Sequence, residues 1–378
     1  MLNTRNTKMH GDSFEMKDLT ARICREYLHG AWKKVTPHDI GFKHISGGLS
    51  NLLYHVALPP YLIDDSKGHS CHEPKEVLIR VYGQTHGEGA LEALITESVI
   101  FTLLSERGLG PKLHGIFPGG RIEQYINARP LLTRELAIPK LSVLIAQKMA
   151  QIHSMEVPLH KEPDWLWNTM DRWLKTCEKK LAGDVPEFAR DLLDKVDLNA
   201  ETRWLKETLE RENSPVVFCH NDMQEGNILM SPDADKDEDP RIVIIDFEYC
   251  SYNYRGFDIA NHFVEWIYDY KEETSYPFYT ENPRHYPTEK QRLTFIRAYL
   301  DESGSRENVT KVLREVEVFT LASHLFWTLW GIINAETSKI PFGYWEYGVS
   351  RLSNYLRLKE RLSCNTKIKR KVECLSLD

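Results

Sequence analysis

Two strongly apolar runs in this chain each stop on a carboxylate. Val216-Val217-Phe218-Cys219 ends at His220-Asn221-Asp222, and Ile242-Val243-Ile244-Ile245 ends at Asp246, with Asn227 between them. Short runs of β-branched and aromatic residues predict buried strands. Strand ends are rigid, so a site built on them can hold its acids in fixed positions. The acidic stretch Ser231–Pro240 between them reads as a solvated hairpin tip.

The spacing His220-x-Asp222-x-x-x-x-Asn227 is that of a phosphoryl-transfer loop, in which an Asp meets the acceptor hydroxyl and a later Asn meets a metal. A second strand-terminal Asp completes such a metal site, and Asp246 is placed for it. Three oxygen ligands beside phosphates is how Mg²⁺ is usually held. Each piece alone has a plainer meaning. A lone strand-terminal Asp is a turn residue or helix cap, and Ser46-Gly47-Gly48-Leu49-Ser50-Asn51 is compatible with an ordinary hairpin. The order of the parts carries the argument: glycine turn, cation on a strand, helix with a Glu, catalytic loop, strand-terminal Asp. The cation is Arg80 in "VLIRVYG". Inside an apolar strand it needs partners, expected to be nucleotide phosphates and the helix carboxylate Glu97, with Glu92 second. The alternative is an edge strand with Arg80 in solvent.

A chain of 378 residues can form two lobes, each with its own core. We expect a polar tail over 1–15, a β-rich nucleotide-binding lobe over 16–126 and a helical lobe over 127–378. In the first lobe, strands are predicted within Gly41–Leu58, Glu76–Gly83 and Arg121–Ile126, with helices at Leu19–Leu28 and Ala90–Arg107. Gly108 is placed to cap the second helix. In the second lobe, helical patterns run over Leu141–Met155, Asp164–Leu181, Glu187–Glu210, Asp258–Tyr270, Glu289–Leu300, Lys311–Ala335 and Gly343–Leu362. The fold class is therefore α+β. A net charge of −7 gives no global attraction to nucleic acid. Seven cysteines without paired spacing indicate neither a disulfide framework nor zinc, and suit a reducing compartment. The N-terminus lacks a signal-peptide core, and no apolar run approaches the roughly 20 residues of a membrane span, so membrane insertion is not expected.

"VVFCHNDMQEGNIL" followed by "VIIDFEYCSYNYRGFDIANHFVEW" closely resembles the choline/ethanolamine kinase family, whose two-lobed eukaryotic kinase-like fold is related to aminoglycoside phosphotransferases. The resemblance extends through "ISGGLSNLLY", "VLIRVYG", "ESVIFTLLSERGLGPKLHGIFPGGRIEQYI", "KEPDWLW" and "ASHLFWTLWGI", nearly the whole chain. It implies ATP and Mg²⁺ as cofactors, choline or ethanolamine as substrate, and a cytoplasmic homodimer. By resemblance Asp222 is the catalytic Asp, and Asn227 and Asp246 hold Mg²⁺. Arg80 and Gln224 lie near the phosphates, which the turn from Ser46 to Leu52 covers. Glu123, Gln124, Tyr125, Ile126, Asn127, Ala128 and Arg129 line the adenine and ribose.

A quaternary ammonium has no N–H to donate, so aromatic faces and diffuse negative charge must hold it. The resemblance nominates Tyr249, Tyr270, Trp327, Trp330, Phe342 and Tyr347 as walls and Glu265 as the anion. Trp327 and Trp330 share a helix face at i, i+3, although aromatics at helical spacing serve a core equally well. Relative to protein kinases, Arg80 replaces Lys, Glu248 stands at the Gly of D-F-G, and no A-P-E element follows, which argues against a protein substrate. The readings left open are ethanolamine or dual specificity, an aminoglycoside-type kinase, and a catalytically dead binding module. The intact Asp222, Asn227, Asp246 and Arg80 argue against the last.

Overall fold

The structure is a computed structural model that describes residues 14–45, 51–63, 73–82, 90–231, 241–271, 274–335, 337–338 and 340–375. The chain separates into two compact units. The first runs to Arg129 and includes Val243–Phe247. The second contains Pro130–Met230 and Glu248 onward.

The first unit is built on an antiparallel sheet of β1 (Gly41–Ile45), β2 (Asn51–Ala57), β3 (Glu76–Tyr82), β4 (Leu113–Phe117) and β5 (Gly120–Gln124), in the order β1-β2-β3-β5-β4. Alternation makes this sheet. Val77, Ile79 and Val81 point to one face of β3 and are buried, as are Tyr54 and Val56 of β2. Helix α1 (Phe14–Tyr27) supplies Met16, Ile23 and Cys24 to the same core. It begins inside the stretch expected to be tail, because Met16 has a buried place to fill. Strand β4 was missing from the sequence-based expectation. Its register with β5 is broken by a bulge between Leu113 and Gly115, which blurs the period-two pattern. Helix α2 (Ala90–Glu106) ends as expected. Gly108 has φ +66° and Leu109 N–H donates to Leu104 O at 2.9 Å, the wrapped C-terminus that glycine favours.

The two-residue strand β6 (Arg129–Pro130) leads into the second unit, which is mostly helical. Its helices are α3 (Pro139–His153), α4 (Asp164–Leu181), α5 (Glu187–Leu193), α6 (Leu198–Glu210), α7 (Arg255–Glu265), α8 (Glu289–Glu302), α9 (Val309–Asn334) and α10 (Tyr344–Leu375). Helix α9 is the axis, with α4, α7, α8 and α10 packed around it. By length and a mean hydropathy of 1.4 it could cross a bilayer, yet 83 % of that window is buried inside the fold. It corrects the expectation that no run approaches spanning length.

The expected helix Glu187–Glu210 is two helices, because Asp197 accepts from Ala200 N–H at 2.9 Å and so caps a fresh start for α6. The expected helix to Tyr270 also stops early. After Glu265 the chain enters β11 (Tyr268–Asp269), which pairs with β12 (Thr280–Glu281). The two strands of the opening pattern are β7 (Val216–Cys219) and β9 (Ile242–Ile244), and a third strand, β8 (Ile228–Met230), lies between them in sequence. Strand β7 pairs antiparallel with β10 (Ser251–Tyr254), with Cys219 opposite Ser251.

Candidate active site

In the first unit Arg80 and Arg121 stand directly opposite each other on β3 and β5, a destabilising pair unless neutralised. Glu123 lies two residues from Arg121 on the same face. Its Oε1 accepts from Arg80 Nε and from Arg121 Nε, both at 2.7 Å, and Arg121 also donates to Glu97 at 2.6 Å. Burial alone pushes the Glu123 carboxyl up, but the Arg80 and Arg121 charges outweigh it and hold it below the usual carboxylate range.

Two expectations are corrected here. Arg80 pairs with Glu123 rather than Glu97, because Arg121 intervenes and takes the helix carboxylate. Glu123 itself is held inside the ion cluster. Arg80 engages the cluster only through Nε, so its terminal guanidinium nitrogens make no hydrogen bond among the described residues. Beyond β5, Tyr125 stacks on His55 with ring centroids 3.8 Å apart. Gln124 Oε1 accepts from Lys112 N–H, and Asn127 and Arg129 are exposed. Asn51 and Leu52 open β2. Ser46, Gly47, Gly48, Leu49 and Ser50 lie outside the described residues, as does the side chain of Glu92.

Asp246 has φ +65°, in the left-handed region that Asp tolerates better than most residues. Its neighbour Phe247 fixes it. The ring packs edge-on against Phe101 of α2, with centroids 6.3 Å apart, and lies so close to Gly110 that a Cβ there would come within 2.8 Å of it.

In the second unit the loop after β7 turns through a matching left-handed residue, Asn221, at φ +67°. The strain of that turn is held by bonds on every side. Asn221 donates to Tyr249 O at 2.9 Å and its Oδ1 accepts from Asn253 at 2.8 Å. Asn227 Nδ2 donates to both Asp222 O and Asp222 Oδ2 at 2.9 Å, so two residues five apart in sequence are locked together. This fixes the orientation of the amide and leaves Asn227 Oδ1 without a hydrogen-bond donor among the described residues. Gln224 caps the intervening turn, its Oε1 accepting from Gly226 N–H at 2.7 Å.

Helix α7 anchors this loop, a role the sequence reading missed. Asp258, Asn261, His262 and Glu265 fall at i, i+3, i+4 and i+7, one face of a helix, and all four are buried. Asp258 accepts from the His220 and Asn221 backbone N–H groups, both at 2.8 Å, and from His153 Nε2 at 2.9 Å. Burial alone pushes Asp258 up; the bond to His153, helped by the charges of His153 and His220, holds it below the usual range. His153, Cys219 and Asp258 bring ligand-type atoms within 4.8 Å of one another, but both Asp258 oxygens already serve the loop. Asn261 donates to Asn221 O at 3.4 Å and accepts from Trp327 Nε1 at 2.7 Å, which ties the loop to α9. His262 Nδ1–H donates to Met223 O at 2.8 Å, and its Nε2 accepts from Trp266.

The nominated aromatic walls form one connected cluster. Ring centroids are 5.9 Å apart for Tyr249 and Trp327, 5.4 Å for Trp327 and Trp330, 5.9 Å for Trp330 and Tyr347, 5.5 Å for Phe342 and Tyr347, and 6.2 Å for Tyr270 and Tyr347. Tyr249, Tyr270, Trp330 and Phe342 keep part of their surface open, unlike rings of a closed core. Trp327, at 6 % exposure with its N–H bound to Asn261, is the buried foundation. Tyr268, Tyr279 and Trp165, none of them nominated as walls, extend the cluster.

Glu265 is already partnered. It pairs with the fully buried Arg351 and accepts from Tyr270 Oη at 2.8 Å. The Arg351 guanidinium lies 3.9 Å over Tyr268 and 4.8 Å over Tyr347. Glu225 is the reverse case. It is fully buried with neither oxygen hydrogen-bonded among the described residues, and burial first, then the Glu265 charge, pushes its carboxyl up to about 8.

A strand-rich unit, a helical unit and a His-x-Asp-x-x-x-x-Asn loop braced from a buried helix define a kinase-fold small-molecule phosphotransferase. A Ralstonia eutropha protein described as a putative aminoglycoside phosphotransferase shares this fold at a TM-score of 0.52 and 13% identity, with 89% of this chain and 97% of that chain covered. The chain belongs to the choline/ethanolamine kinase family, whose model matches residues 42–356. It is 48% identical to a human choline/ethanolamine kinase over 349 residues, 90% of this chain and 85% of the relative. The structure of a choline kinase from Cryptosporidium parvum superposes at a TM-score of 0.74 and 28% identity, covering 92% of this chain and 96% of that one.

Proposed function

We propose that this protein transfers the γ-phosphoryl group of ATP to the hydroxyl of choline, giving phosphocholine and ADP, the first step of the nucleotide-activated route to phosphatidylcholine. The observation that carries the reading is the shared foundation of the loop and the aromatic cluster. One face of α7 holds Asp222's loop through Asp258, Asn261 and His262, and reaches the rings through Asn261 and Glu265. A cation seated on the rings is thereby fixed relative to Asp222, as transfer requires. The hydroxyl oxygen attacks the γ-phosphorus, the bond to the ADP oxygen breaks, and the hydroxyl proton passes to Asp222.

Asn227 Oδ1 and the Asp246 carboxylate are hard oxygen donors that suit Mg²⁺, and we assign them to it. When bound, Mg²⁺ neutralises charge on the phosphates. Arg80 offers phosphate oxygens its terminal nitrogens, which make no hydrogen bond among the described residues. The nucleotide is assigned to the 46–52 turn, the 124–129 segment and Gln224. A cytoplasmic location and a homodimer belong to the same proposal and rest on the family resemblance.

Choline is favoured over ethanolamine because Glu265, the nominated anion, is taken up by Arg351 and Tyr270. An ammonium N–H would compete there with Arg351 and Tyr270 for the Glu265 oxygens, whereas a quaternary ammonium needs no acceptor. Steady-state kinetics with choline, ethanolamine and the mono- and dimethylated intermediates as competing acceptors tests this. The specificity constant should rise with each methyl group. A constant that falls with methylation would reassign the enzyme to ethanolamine.

A further inference from the structure

The rings nominated for the substrate cation are held by a cation of the protein's own. Arg351 lies on α10 one turn beyond Tyr347 and is fully buried. Its guanidinium stands 3.9 Å over the Tyr268 ring and 4.8 Å over the Tyr347 ring. Its Nε and Nη1 make no hydrogen bond among the described residues, so aromatic faces rather than oxygens meet that part of the charge.

The hydrogen bonding falls to Nη2, which donates to Glu265 Oε1 and to Tyr347 Oη. A longer approach of 3.4 Å reaches Tyr270 Oη. Tyr270 O–H donates to Glu265 Oε2 at 2.8 Å, and that uses its only proton. The 3.1 Å bond between the two hydroxyls therefore runs from Tyr347 to Tyr270. Four side chains close a ring with one sense. Donation starts at Arg351 and ends on Glu265, directly on one side and through Tyr347 and Tyr270 on the other. Both Glu265 oxygens and both hydroxyl protons are engaged. An acid as buried as Glu265 needs such partners, and removing the guanidinium would release one of its oxygens.

We infer that Arg351 is a specificity-determining residue that acts by position: it sets the sense of this ring, keeps Glu265 engaged, and so makes the walls present aromatic faces instead of acceptors to the bound ammonium. Sealed from solvent, it acts only through the side chains it holds. The inference rests on the choline reading above and says which residue carries the preference for a fully methylated ammonium.

Steady-state kinetics of the full chain with ATP and either choline or ethanolamine tests it. Arg351→Met fills similar volume but releases Glu265. A primary ammonium can donate to the released oxygen and a quaternary one cannot. The ratio of choline to ethanolamine specificity constants should therefore fall about tenfold, chiefly through a lower ethanolamine KM, with the ATP KM unchanged. Arg351→Lys, which keeps a charged donor for Glu265, should recover most of the wild-type ratio. Tyr270→Phe keeps the ring and removes only the bond to Glu265 Oε2. That position is partly open and is expected to fold even if the Arg351 variants do not. It should shift the ratio in the same direction, by a few-fold. An unchanged ratio in Arg351→Met or in Tyr270→Phe, including an equal loss for both substrates with a lower melting temperature, would overturn the inference and make Arg351 a packing residue. Failure of the choline reading is separate: the wild-type chain would then prefer ethanolamine, or phosphorylate neither.

Discussion

At the scale of single residues, the two tryptophans of α9 do different work although three positions separate them. Trp327 is 6 % exposed and its indole N–H holds Asn261, whereas Trp330 keeps open surface among Tyr347, Phe342 and Tyr344. Trp330→Leu should raise the choline KM tenfold or more, since a desolvated cation–π contact is worth roughly 2 kcal/mol. Its melting temperature and ATP KM should barely move. Trp327→Leu should lower the melting temperature as well, because Asn261 loses a partner that also steadies the catalytic loop. The same loss of stability in both variants, with choline KM unchanged, would make the cluster a core. Sequence spacing shows that these rings share a face, but not which one is bonded. That depends on Asn261, 66 residues away in sequence. The Arg80 pairing was hidden for a similar reason. Arg121 and Glu123 come beside Arg80 only through strand register, and nothing in "RIEQYI" alone announces a bridging carboxylate.

At the scale of elements, α7 is the part that the sequence displays and that a reader easily passes over. "RGFDIANHFVEW" carries four polar residues on one helical face inside an otherwise apolar segment, a pattern that implies buried partners. Those partners are loop backbone groups, which have no sequence signature. His262 makes this testable by pH. Burial, outweighing the bond to Met223 and the Asp258 charge, lowers its pKa from 6.5 to about 4. The folded imidazole therefore refuses a proton that the unfolded chain accepts. Its contribution to stability is fully present above pH 6.5 and is lost progressively as pH falls toward 4, by on the order of 3 kcal/mol. His262→Gln keeps a donor for Met223 O and an acceptor for Trp266 but cannot titrate. Urea denaturation between pH 7 and 5 should show the wild type losing stability faster than the variant. A difference between them that does not change with pH would contradict the assignment. Elsewhere, element types were read more readily than their ends. The α5–α6 break turns on a single capping Asp197, and β11 on a two-residue pairing.

At the scale of the whole molecule, the α+β class and the strand-terminal acids were legible because they depend on local pattern: period two in β1 to β3, period 3.6 in α3 and α4, and acids where apolar runs stop. The left-handed turns at Asn221 and Asp246 are the structural form of that last signal, since Asn and Asp are the non-glycine residues that most readily adopt φ near +65°. What was not legible is how the apolar α9 becomes the axis of a helical unit and how one polar face of α7 serves both the loop and the rings, because both follow from packing rather than from pattern. The central claim is that Asp222, held by Asn227 and the α7 face, directs phosphoryl transfer from ATP to choline. Phosphorus NMR of the reaction mixture tests it most directly. The wild type should form one phosphocholine for each ADP, and Asp222→Asn, with an unchanged melting temperature, should form it about 10² to 10⁴ times more slowly. ADP accumulating without phosphocholine, or near-normal phosphocholine formation by the folded Asp222→Asn enzyme, would contradict the account.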